Sequence, residues 1–293
     1  MRLHLVDGTY ELFRAHFSGR PDHTTPGGQP GKAAVGVVFS LLALLQDARE
    51  QVTHLAVAFD NPIRSFRNDL FAGYKDEEGV PPELLAQFDS VEEGVRALGV
   101  TVWSMKQWEA DDALATGAAR FRDQVEQVRI LTPDKDLGQC LRGDKVVQVD
   151  RRREREITEA TLRADKGIGP ESIPDWLALV GDDADGIPGL PGFGEKGAAA
   201  LLGVYKKLEA IPADYAFWKV KLRGADKLGA ALKTYGQEAR LYRTLATLVE
   251  DVPLAESLAD LEWRGAPRAA FTAWCQKMGA NTLANRPHRW VDG

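Results

Sequence analysis

The sequence predicts an α/β protein with a mostly parallel sheet flanked by helices, and two observations carry this prediction. Short apolar segments typical of buried strands alternate with longer helical patterns over the first 150 residues. Several of these segments also run directly into acidic residues. Strands that alternate with helices form βαβ units, and such sheets bind ligands beyond the carboxyl ends of their strands. We therefore expect the acidic residues to lie at a binding edge.

The individual elements follow the same pattern in chain order. Predicted strands at residues 3–6, 55–59 and 128–131 are followed by Asp7, Asp60 and the pair Asp134 and Asp136. A fourth strand at residues 100–103 precedes Glu109, and a further strand covers residues 146–149. Helical patterns cover the intervening ranges 33–50, 83–98 and 109–125. Three of the five strands therefore place carboxylates at one edge of the sheet.

Composition limits the class of protein. The chain has 293 residues, enough for one large or two modest domains, with 44% hydrophobic and 27% charged residues. Its only cysteines, Cys140 and Cys275, argue against a disulfide framework. No signal-peptide pattern is present, and the longest apolar run, residues 35–45, is too short to span a bilayer. We expect a cytoplasmic protein without a membrane partner.

Residues 181–196 place carboxylates that could bind a cation next to backbone N–H groups that could bind an anion. Asp182 and Asp185 follow an apolar helical run at residues 176–180, so their carboxylates would leave the helix end on the same side. The Gly- and Pro-rich remainder opens a second helix at Glu195, where free backbone N–H groups favour an anion. This pairing suits a phosphodiester. The alternative is an acidic turn followed by an ordinary capped helix.

Acidic residues at element ends are numerous enough to require cations, because their mutual repulsion would otherwise cost stability. All offer oxygen ligands, which favours magnesium or manganese over zinc. Two such ions about 3.5–4 Å apart would activate water and stabilise a leaving oxygen. The net charge of −6 does not exclude a nucleic-acid partner, because clustered metal ligands alone make a chain acidic. The residues are Asp7, Asp60, Glu109, Asp111, Asp112, Asp134, Asp136, Asp182 and Asp185.

Seven motifs in order resemble the bacterial 5′-nuclease, or flap endonuclease, family, which includes the 5′→3′ exonuclease domain of DNA polymerase I. The resemblance covers roughly residues 1–285, and we expect a free-standing nuclease without a polymerase. The motifs are Leu5-Val6-Asp7-Gly8, Phe59-Asp60, Ser65-Phe66-Arg67, Gly73-Tyr74-Lys75, Glu109-Ala110-Asp111-Asp112, Leu131-Thr132-Pro133-Asp134-Lys135-Asp136-Leu137 and residues 181–196.

The resemblance implies a domain plan and two ion sites. A PIN-like nuclease domain would cover residues 1–166, with a helical arch at about 61–95. A helix-hairpin-helix subdomain would cover 167–258, and residues 259–293 would pack back on the nuclease domain. The first ion would be held by Asp7, Asp60, Glu109, Asp111 and Asp112, and the second by Asp134, Asp136, Asp182 and Asp185.

The resemblance also implies DNA contacts. Lys75, Arg67 and Arg14 match catalytic basic positions, and Tyr74 could stack on a base. The acidic run at residues 76–78, where the family usually has another basic residue, leaves open whether a single strand threads the arch. Duplex DNA would meet the hairpin at Gly189, Gly192, Gly194 and Lys196, and Gly197 replaces the usual Thr or Ser. A potassium ion would bind the carbonyls of Leu179, Val180, Pro188, Leu190 and Phe193.

These observations predict a divalent-metal-dependent 5′→3′ exonuclease or flap endonuclease that acts on DNA as a monomer, with functional coupling to a DNA polymerase and ligase. Two alternatives stay open: a PIN-type ribonuclease, and a DNA-structure-binding protein with weak catalysis. The basic run at residues 151–155 favours a solvated turn over a DNA contact. Phe271, Trp274 and Met278, at helical spacing, are predicted core residues.

Overall fold

A computed structural model describes residues 1–291. Its strands are β1 (Arg2–Asp7), β2 (His54–Asp60), β3 (Thr101–Met105), β4 (Gln127–Leu131), β5 (Val146–Asp150), β6 (Arg155–Ile157), β7 (Ala266–Pro267) and β8 (Trp290–Val291). Its helices are α1 (Gly8–His16), α2 (Lys32–Gln46), α3 (Arg67–Leu70), α4 (Pro82–Leu85), α5 (Phe88–Ala97), α6 (Ala110–Phe121), α7 (Glu159–Lys166), α8 (Ile173–Val180), α9 (Glu195–Tyr205), α10 (Ala225–Thr234), α11 (Gly236–Ala246) and α12 (Arg268–Met278).

The chain forms two compact units, and each unit combines stretches that are separated in the sequence. The first unit comprises residues 1–65, 77–132 and 250–293, and the second comprises residues 66–76 and 133–249. The domain ranges predicted from the sequence are continuous, whereas each of these units is assembled from separate stretches. Within residues 1–291, no helix combines the length and apolar character that crossing a membrane requires.

The first unit contains a parallel sheet with strand order β3-β2-β1-β4. The central strands are buried along almost their whole length, as expected for a sheet that is covered on both faces. Asp7 is the last residue of β1 and Asp60 is the last residue of β2, so both carboxylates lie at the carboxyl edge. The predicted parallel sheet with acidic strand ends is confirmed.

The predicted helix at residues 83–98 is in fact two helices, α4 and α5, and Gln87 lies between them. The side-chain oxygen of Gln87 accepts hydrogen bonds from the backbone N–H groups of Ala33 and Ala34, at 2.9 and 3.2 Å. These N–H groups belong to the first turn of α2, where the helix itself provides no partner. The break therefore lets one buried amide cap a neighbouring helix.

The C-terminal helix α12 packs on α5 in the first unit. Phe271, Trp274 and Met278 are at most 2% exposed, which confirms their prediction as core residues. The indole N–H of Trp274 donates to the carbonyl oxygen of Ser90 at 3.0 Å. A Cβ atom at Gly94 would lie 2.5 Å from the Trp274 ring, so only glycine permits this close approach.

The second unit contains the antiparallel hairpin β5–β6 and helices α7 to α11. Residues 151–154 form the turn of the hairpin, which contains most of the basic run noted in the sequence. Trp176, Leu177 and Leu201 lie in a core that draws side chains from all five helices. Tyr74, from the separate stretch 66–76, lies in the same core, which ties this stretch to the second unit.

Candidate active site

Three carboxylates converge in the second unit. One oxygen from each of Asp136, Asp182 and Asp185 lies within 4.8 Å of the others. Asp136 follows a short segment after β4, and the two other residues lie in the loop after α8. The sequence predicted all three as ligands, and the fold brings residues almost 50 positions apart to one place.

Asp182 and Asp185 are held by a tight loop. Helix α8 ends at Val180, and Gly181 follows with φ of 90°, a conformation that strongly favours glycine. Asp182 and Ile187 then exchange two backbone hydrogen bonds, both 2.8 Å long. The Asp182 carboxylate also accepts the backbone N–H of Ala184 at 3.1 Å. The loop therefore fixes the backbone that carries both acidic side chains.

Two lysines neutralise part of this cluster. The Lys135 ammonium donates to Oδ2 of Asp182 at 2.5 Å, and the Lys75 ammonium lies 2.8 Å from Oδ1 of Asp185. Burial alone would lower the pKa of Lys135, but its hydrogen bond to Asp182 and the nearby carboxylates raise that pKa overall. The sequence alone did not place Lys135 in the site. Its place between Asp134 and Asp136 was the signal that could have identified it.

The environment of the Asp136 carboxylate indicates whether a metal ion fits this cluster. Burial, followed by the charges of Asp134 and Asp185, raises the pKa of Asp136 well above its ordinary value. Its Oδ1 atom is buried and has no hydrogen-bond partner within residues 1–291. A buried, unpartnered carboxylate oxygen beside two more carboxylates is the donor set that a hard divalent cation prefers. The residues present therefore fit Mg²⁺ or Mn²⁺.

The remaining ligand predicted for this group, Asp134, is exposed. Its Oδ1 accepts the backbone N–H of Asp136 at 2.9 Å and caps the 3₁₀ turn that begins at Lys135. The carbonyl oxygen of Asp134 accepts the side-chain amide of Gln148. Asp134 therefore shapes the short segment that carries Asp136, in addition to any role as a ligand.

In the first unit, the acidic residues at the strand ends are buried and tied to their neighbours. Asp7 caps α1 by accepting the N–H of Tyr10 at 2.8 Å, and it also accepts the hydroxyl of Thr132 at 2.9 Å. Asp60 accepts the N–H of Ala110 at 2.7 Å, which brings the N-terminus of α6 to the end of β2. These bonds explain why carboxylates are tolerated in the interior of this unit.

The start of α6 carries the other three predicted ligands. Glu109 and Asp112 form a reciprocal capping box, in which the side chain of each accepts the backbone N–H of the other. Glu109 also accepts the hydroxyl of Ser65 at 2.7 Å. Asp111 is half-buried, whereas Glu109 and Asp112 are at most 4% exposed. The capping box is a structural function, so the metal-ligand role of these residues stays a prediction.

Two predicted DNA contacts are buried in the second unit. Arg67 is 1% exposed, and its guanidinium donates to the carbonyl oxygens of Leu245 at 2.7 Å and Thr247 at 3.0 Å, near the end of α11. Tyr74 is 4% exposed, and its hydroxyl donates to Asp185 at 3.4 Å. Arg67 thus anchors the stretch 66–76, and Tyr74 lines the carboxylate cluster rather than presenting a ring to solvent.

Arg14 lies in α1 of the first unit. Its guanidinium pairs with the buried carboxylate of Glu11 and donates to the hydroxyl of Ser40 at 3.1 Å. That hydroxyl in turn donates to Glu11 at 3.0 Å. The side chain of Arg14 remains 37% exposed, so part of it reaches solvent, although its Nε atom is buried. Glu11, the partner that orients Arg14, is not evident from the sequence alone.

The glycine-rich loop before α9 has both buried and exposed parts. Gly189 is buried, with φ of 69°, and an added Cβ would lie 2.5 Å from the Val180 carbonyl. Gly192, Gly194 and Lys196 are exposed, and Gly194 immediately precedes the first turn of α9. The backbone N–H groups at this end of α9 are therefore open to an anion.

The carbonyls predicted to bind potassium lie in and around this loop. The Leu179 carbonyl accepts the N–H of Leu190 at 2.8 Å, and the Leu190 carbonyl accepts the N–H of Phe193 at 3.1 Å. The Val180 and Pro188 carbonyls pack close to Gly189 and Gly181, respectively. These bonds bring the end of α8 and the glycine-rich loop together, and potassium binding itself stays a prediction.

Comparison with known proteins identifies the family. A model of the 5′-3′ exonuclease N-terminal resolvase-like domain matches residues 2–167, and a model of the 5′-3′ exonuclease C-terminal SAM fold matches residues 168–269. The chain belongs to the 5′-3′ exonuclease family. Members of this family are nucleases, hydrolases of phosphodiester bonds, and the resemblance noted in the sequence is confirmed.

Curated relatives of this chain include DNA polymerases. The chain is 35% identical over 260 residues to DNA polymerase I of Mycobacterium leprae, covering 87% of this chain and 28% of the polymerase. It is 32% identical over 289 residues to DNA polymerase I of Bacillus subtilis, covering 97% of this chain and 32% of the polymerase. The chain thus spans about a third of the length of these relatives.

Solved structures share the fold of this chain at low sequence identity. T5 5′-exonuclease with bound zinc matches with a TM-score of 0.63 at 19% identity, covering 84% of this chain and 89% of that chain. Human GEN1 in complex with Holliday junction DNA matches with a TM-score of 0.62 at 14% identity, covering 96% of this chain and 69% of that chain. The predicted PIN-like α/β domain with a helical helix-hairpin-helix subdomain is confirmed at the level of the fold.

Proposed function

We propose that this chain is a structure-specific, divalent-metal-dependent 5′ nuclease that hydrolyses DNA with 5′ flaps or 5′ ends, in replication or repair. The observation that carries the proposal is the cluster of Asp136, Asp182 and Asp185, in which a buried carboxylate oxygen of Asp136 lacks a partner within residues 1–291. Family membership supports the reaction class. The DNA-bound structures of T5 flap endonuclease, Rad2 and GEN1 support the substrate class.

The carboxylates are proposed to hold two Mg²⁺ or Mn²⁺ ions. When bound, these ions would supply Lewis-acid activation of water and would stabilise charge on the leaving oxygen. The fold itself positions the ligands, because they lie at strand ends and helix starts that are in place before substrate arrives. The proposed sets are Asp7, Asp60, Glu109, Asp111 and Asp112 in the first unit, and Asp134, Asp136, Asp182 and Asp185 in the second.

Lys75 is the proposed phosphate-binding residue. Its ammonium pairs with Asp185 and is 25% exposed, so an incoming phosphate oxygen can compete for it. Arg67 would act as a positioning residue for Lys75, because its bonds to the end of α11 fix the stretch on which Lys75 lies. Arg14, held by Glu11 and Ser40, would contribute a second positive charge toward DNA.

The glycine-rich loop and the start of α9 are proposed to anchor the duplex. Exposed N–H groups near Gly192 and Gly194 can meet phosphates, and the exposed ammonium of Lys196 adds charge there. A potassium ion on the carbonyls of the loop would strengthen the same contact. We further propose that the nuclease acts as a monomer and exchanges DNA with a polymerase and a ligase.

The central test replaces a cluster ligand without changing its shape. Asp182→Asn should lower the single-turnover rate of 5′-flap cleavage in magnesium by a factor on the order of 100 or more, because charge stabilisation in the transition state is lost. Duplex affinity should persist or increase, since a negative charge is removed. Asp69→Asn, an exposed carboxylate in α3, is the matched control and should keep the wild-type rate. A wild-type rate for Asp182→Asn would contradict the proposal.

A second experiment tests the duplex anchor separately from catalysis. Lys196→Ala should reduce the slope of log affinity against log salt for duplex DNA by about 0.9, the loss expected for one phosphate contact. The titration is done in EDTA so that no cleavage occurs. An unchanged slope would remove Lys196 from the interface while leaving the catalytic proposal intact.

A further inference from the structure

Two aromatic rings of the second unit are exposed next to a run of basic residues. Phe217 is 72% exposed and Tyr215 is 47% exposed, although both side chains are large and hydrophobic. Lys219 and Lys221, two and four positions further on, are exposed as well. We call these four residues the aromatic–lysine patch. None of them belongs to the carboxylate cluster or to the glycine-rich loop.

The backbone under the patch is held rigidly. Trp218 is buried, and its indole N–H donates to the Pro212 carbonyl at 2.8 Å. The hydroxyl of Tyr205 accepts the N–H of Lys219 at 2.8 Å and donates to the Phe217 carbonyl at 3.4 Å. With Trp218 anchored inside and both neighbours fixed by Tyr205, Phe217 remains on the outside. The exposure of Phe217 is therefore built into the fold and does not reflect a loose loop.

The charge around the patch is positive. Lys219, Lys221, Arg223 and Lys227 are exposed, and none forms an ion pair within residues 1–291. Two acidic residues, Asp214 and Asp226, lie in the same segment, and Asp214 uses its carboxylate to accept the N–H of Ala216 at 2.8 Å. Four unpaired cations on a chain with net charge −6 mark a local site for an anionic polymer.

The patch also adjoins the glycine-rich loop through α10. A Cβ atom at Gly192 would lie 3.6 Å from Cδ2 of Leu228, in the first turns of α10. Leu228, Trp218 and Phe193 share one hydrophobic core. The aromatic–lysine patch and the proposed duplex anchor are therefore parts of one packed body within the second unit.

We infer that the aromatic–lysine patch binds unpaired DNA bases, which stack on Phe217 and Tyr215 while Lys219 and Lys221 pair with the phosphates. The inference rests on the proposed function for its choice of DNA as ligand. Exposed aromatic rings beside lysines suit single-stranded DNA, because every base has a face that can stack and every linkage has a charge. An apolar protein surface would fit less well, since four cations would lose water without gaining anionic partners.

The test measures binding of a 20-nucleotide oligothymidylate by fluorescence anisotropy in EDTA. Phe217→Ala should weaken binding roughly 5- to 150-fold, the range expected for loss of one stacked base. Phe17→Ala is the matched control, because Phe17 is 67% exposed and lies in the first unit, and it should bind as the wild type does. Thermal unfolding should be unchanged for both variants, since neither ring is buried.

An abasic oligonucleotide of the same length separates stacking from charge. Phe217→Ala and the wild type should bind it with equal affinity, whereas Lys219→Gln should lower the salt slope for both oligonucleotides by about 0.7. Wild-type affinity of Phe217→Ala for oligothymidylate, or an equal loss on the abasic strand, would overturn the inference. So would sedimentation showing self-association that Phe217→Ala abolishes while DNA affinity stays unchanged.

The result is independent of catalysis, because no cleavage occurs in EDTA. If Phe217→Ala weakens binding but the wild type fails to cleave flap DNA in magnesium, the inference about the patch is supported and the proposed nuclease function is contradicted. If cleavage depends on Asp182 but Phe217→Ala binds normally, the nuclease function stands and the patch fails.

Discussion

At the scale of single residues, Lys75 and Lys135 decide how the carboxylate cluster behaves. Each ammonium contacts one aspartate, Asp185 and Asp182 respectively, so two negative charges are balanced before any metal binds. A phosphate group arriving at the cluster offers either lysine a new anionic partner. Because Lys75 lies on a stretch anchored by Arg67 and its ammonium pairs with Asp185, its side chain is partly ordered before a phosphate binds.

Lys75→Ala should lower the single-turnover cleavage rate about 100-fold or more while raising the dissociation constant for flap DNA much less. The reason is that a charge aimed at the reacting phosphate acts mainly in the transition state. Rapid-quench kinetics and anisotropy measure the two quantities. Lys106→Ala, an exposed lysine of the first unit, serves as the control. Equal losses in rate and affinity would assign Lys75 to substrate binding alone.

His4 makes stability depend on pH. It is fully buried in β1, and burial lowers its pKa, although its hydrogen bond to Glu50 at 3.0 Å acts in the opposite direction. The unfolded chain binds a proton on this residue below about pH 6.5, and the folded chain resists doing so. The free energy of unfolding should therefore fall as the pH drops below about 6.5.

Glu50 extends the effect to lower pH. Its hydrogen bond to His4, with that to Arg129, lowers its pKa to about 2, so the stability it contributes is lost only as the pH falls below about 4.5. Urea unfolding at pH 7.5 and 5.5 measures the His4 effect, to which His54 adds because burial lowers its pKa as well. His4→Gln should show a smaller difference between these two conditions than the wild type. An identical difference would place the pH dependence elsewhere.

At the scale of elements, the glycine-rich loop joins α8 to α9 through backbone conformations that side chains disfavour. Gly189 has φ of 69°, and an added Cβ would lie 2.5 Å from the Val180 carbonyl. Gly197, inside α9, has no atom within 4 Å of an added Cβ and no unusual φ. Gly189 is therefore required by the backbone geometry, whereas Gly197 lowers the stability of helix α9.

Gly189→Ala should lower the free energy of unfolding by about 1–2 kcal/mol or more, from the left-handed conformation together with the steric clash. Gly197→Ala, the matched control, should raise it by up to about 1 kcal/mol, because alanine is the better helix former. Urea unfolding measures both. A Gly189→Ala variant as stable as the wild type would mean that the loop relaxes, and its role in presenting N–H groups would be weakened.

At the scale of the whole molecule, stability should be linked to divalent metal. The chain has a net charge of −6 and places buried carboxylates at several element ends. Ions that bind only the folded state shift the unfolding equilibrium by mass action. The unpartnered oxygen of Asp136 makes the second unit the place where this linkage is most direct.

Magnesium or manganese at about 100 times its dissociation constant should raise the thermal midpoint on the order of 5 °C above that in EDTA. Asp136→Asn should reduce this gain, and Asp69→Asn should retain it. Scanning fluorimetry measures the midpoint without requiring activity. A gain of the same size in Asp136→Asn would show that the cluster of the second unit does not bind the ion.

The sequence alone was sufficient to predict the alternation of strands and helices and the acidic residues at the strand ends. Both are local properties: burial on two faces demands apolar strands, and carboxylates can lie only where strands end and polar partners are available. The motif order also identified the family, and the helical spacing of Phe271, Trp274 and Met278 identified a core face. Each of these signals lies within a short window of the chain.

Only the tertiary structure decided the roles of Arg67, Tyr74 and Lys135. A charged or aromatic residue in a basic motif looks exposed in sequence, but Arg67 and Tyr74 are buried because the stretch 66–76 joins the core of the second unit. Lys135 meets Asp182 across 47 positions, a contact that no local pattern encodes. A buried polar group needs a hydrogen-bond partner, and in the fold that partner can come from a residue far away in the sequence. Long-range packing therefore decides which polar groups contact each other.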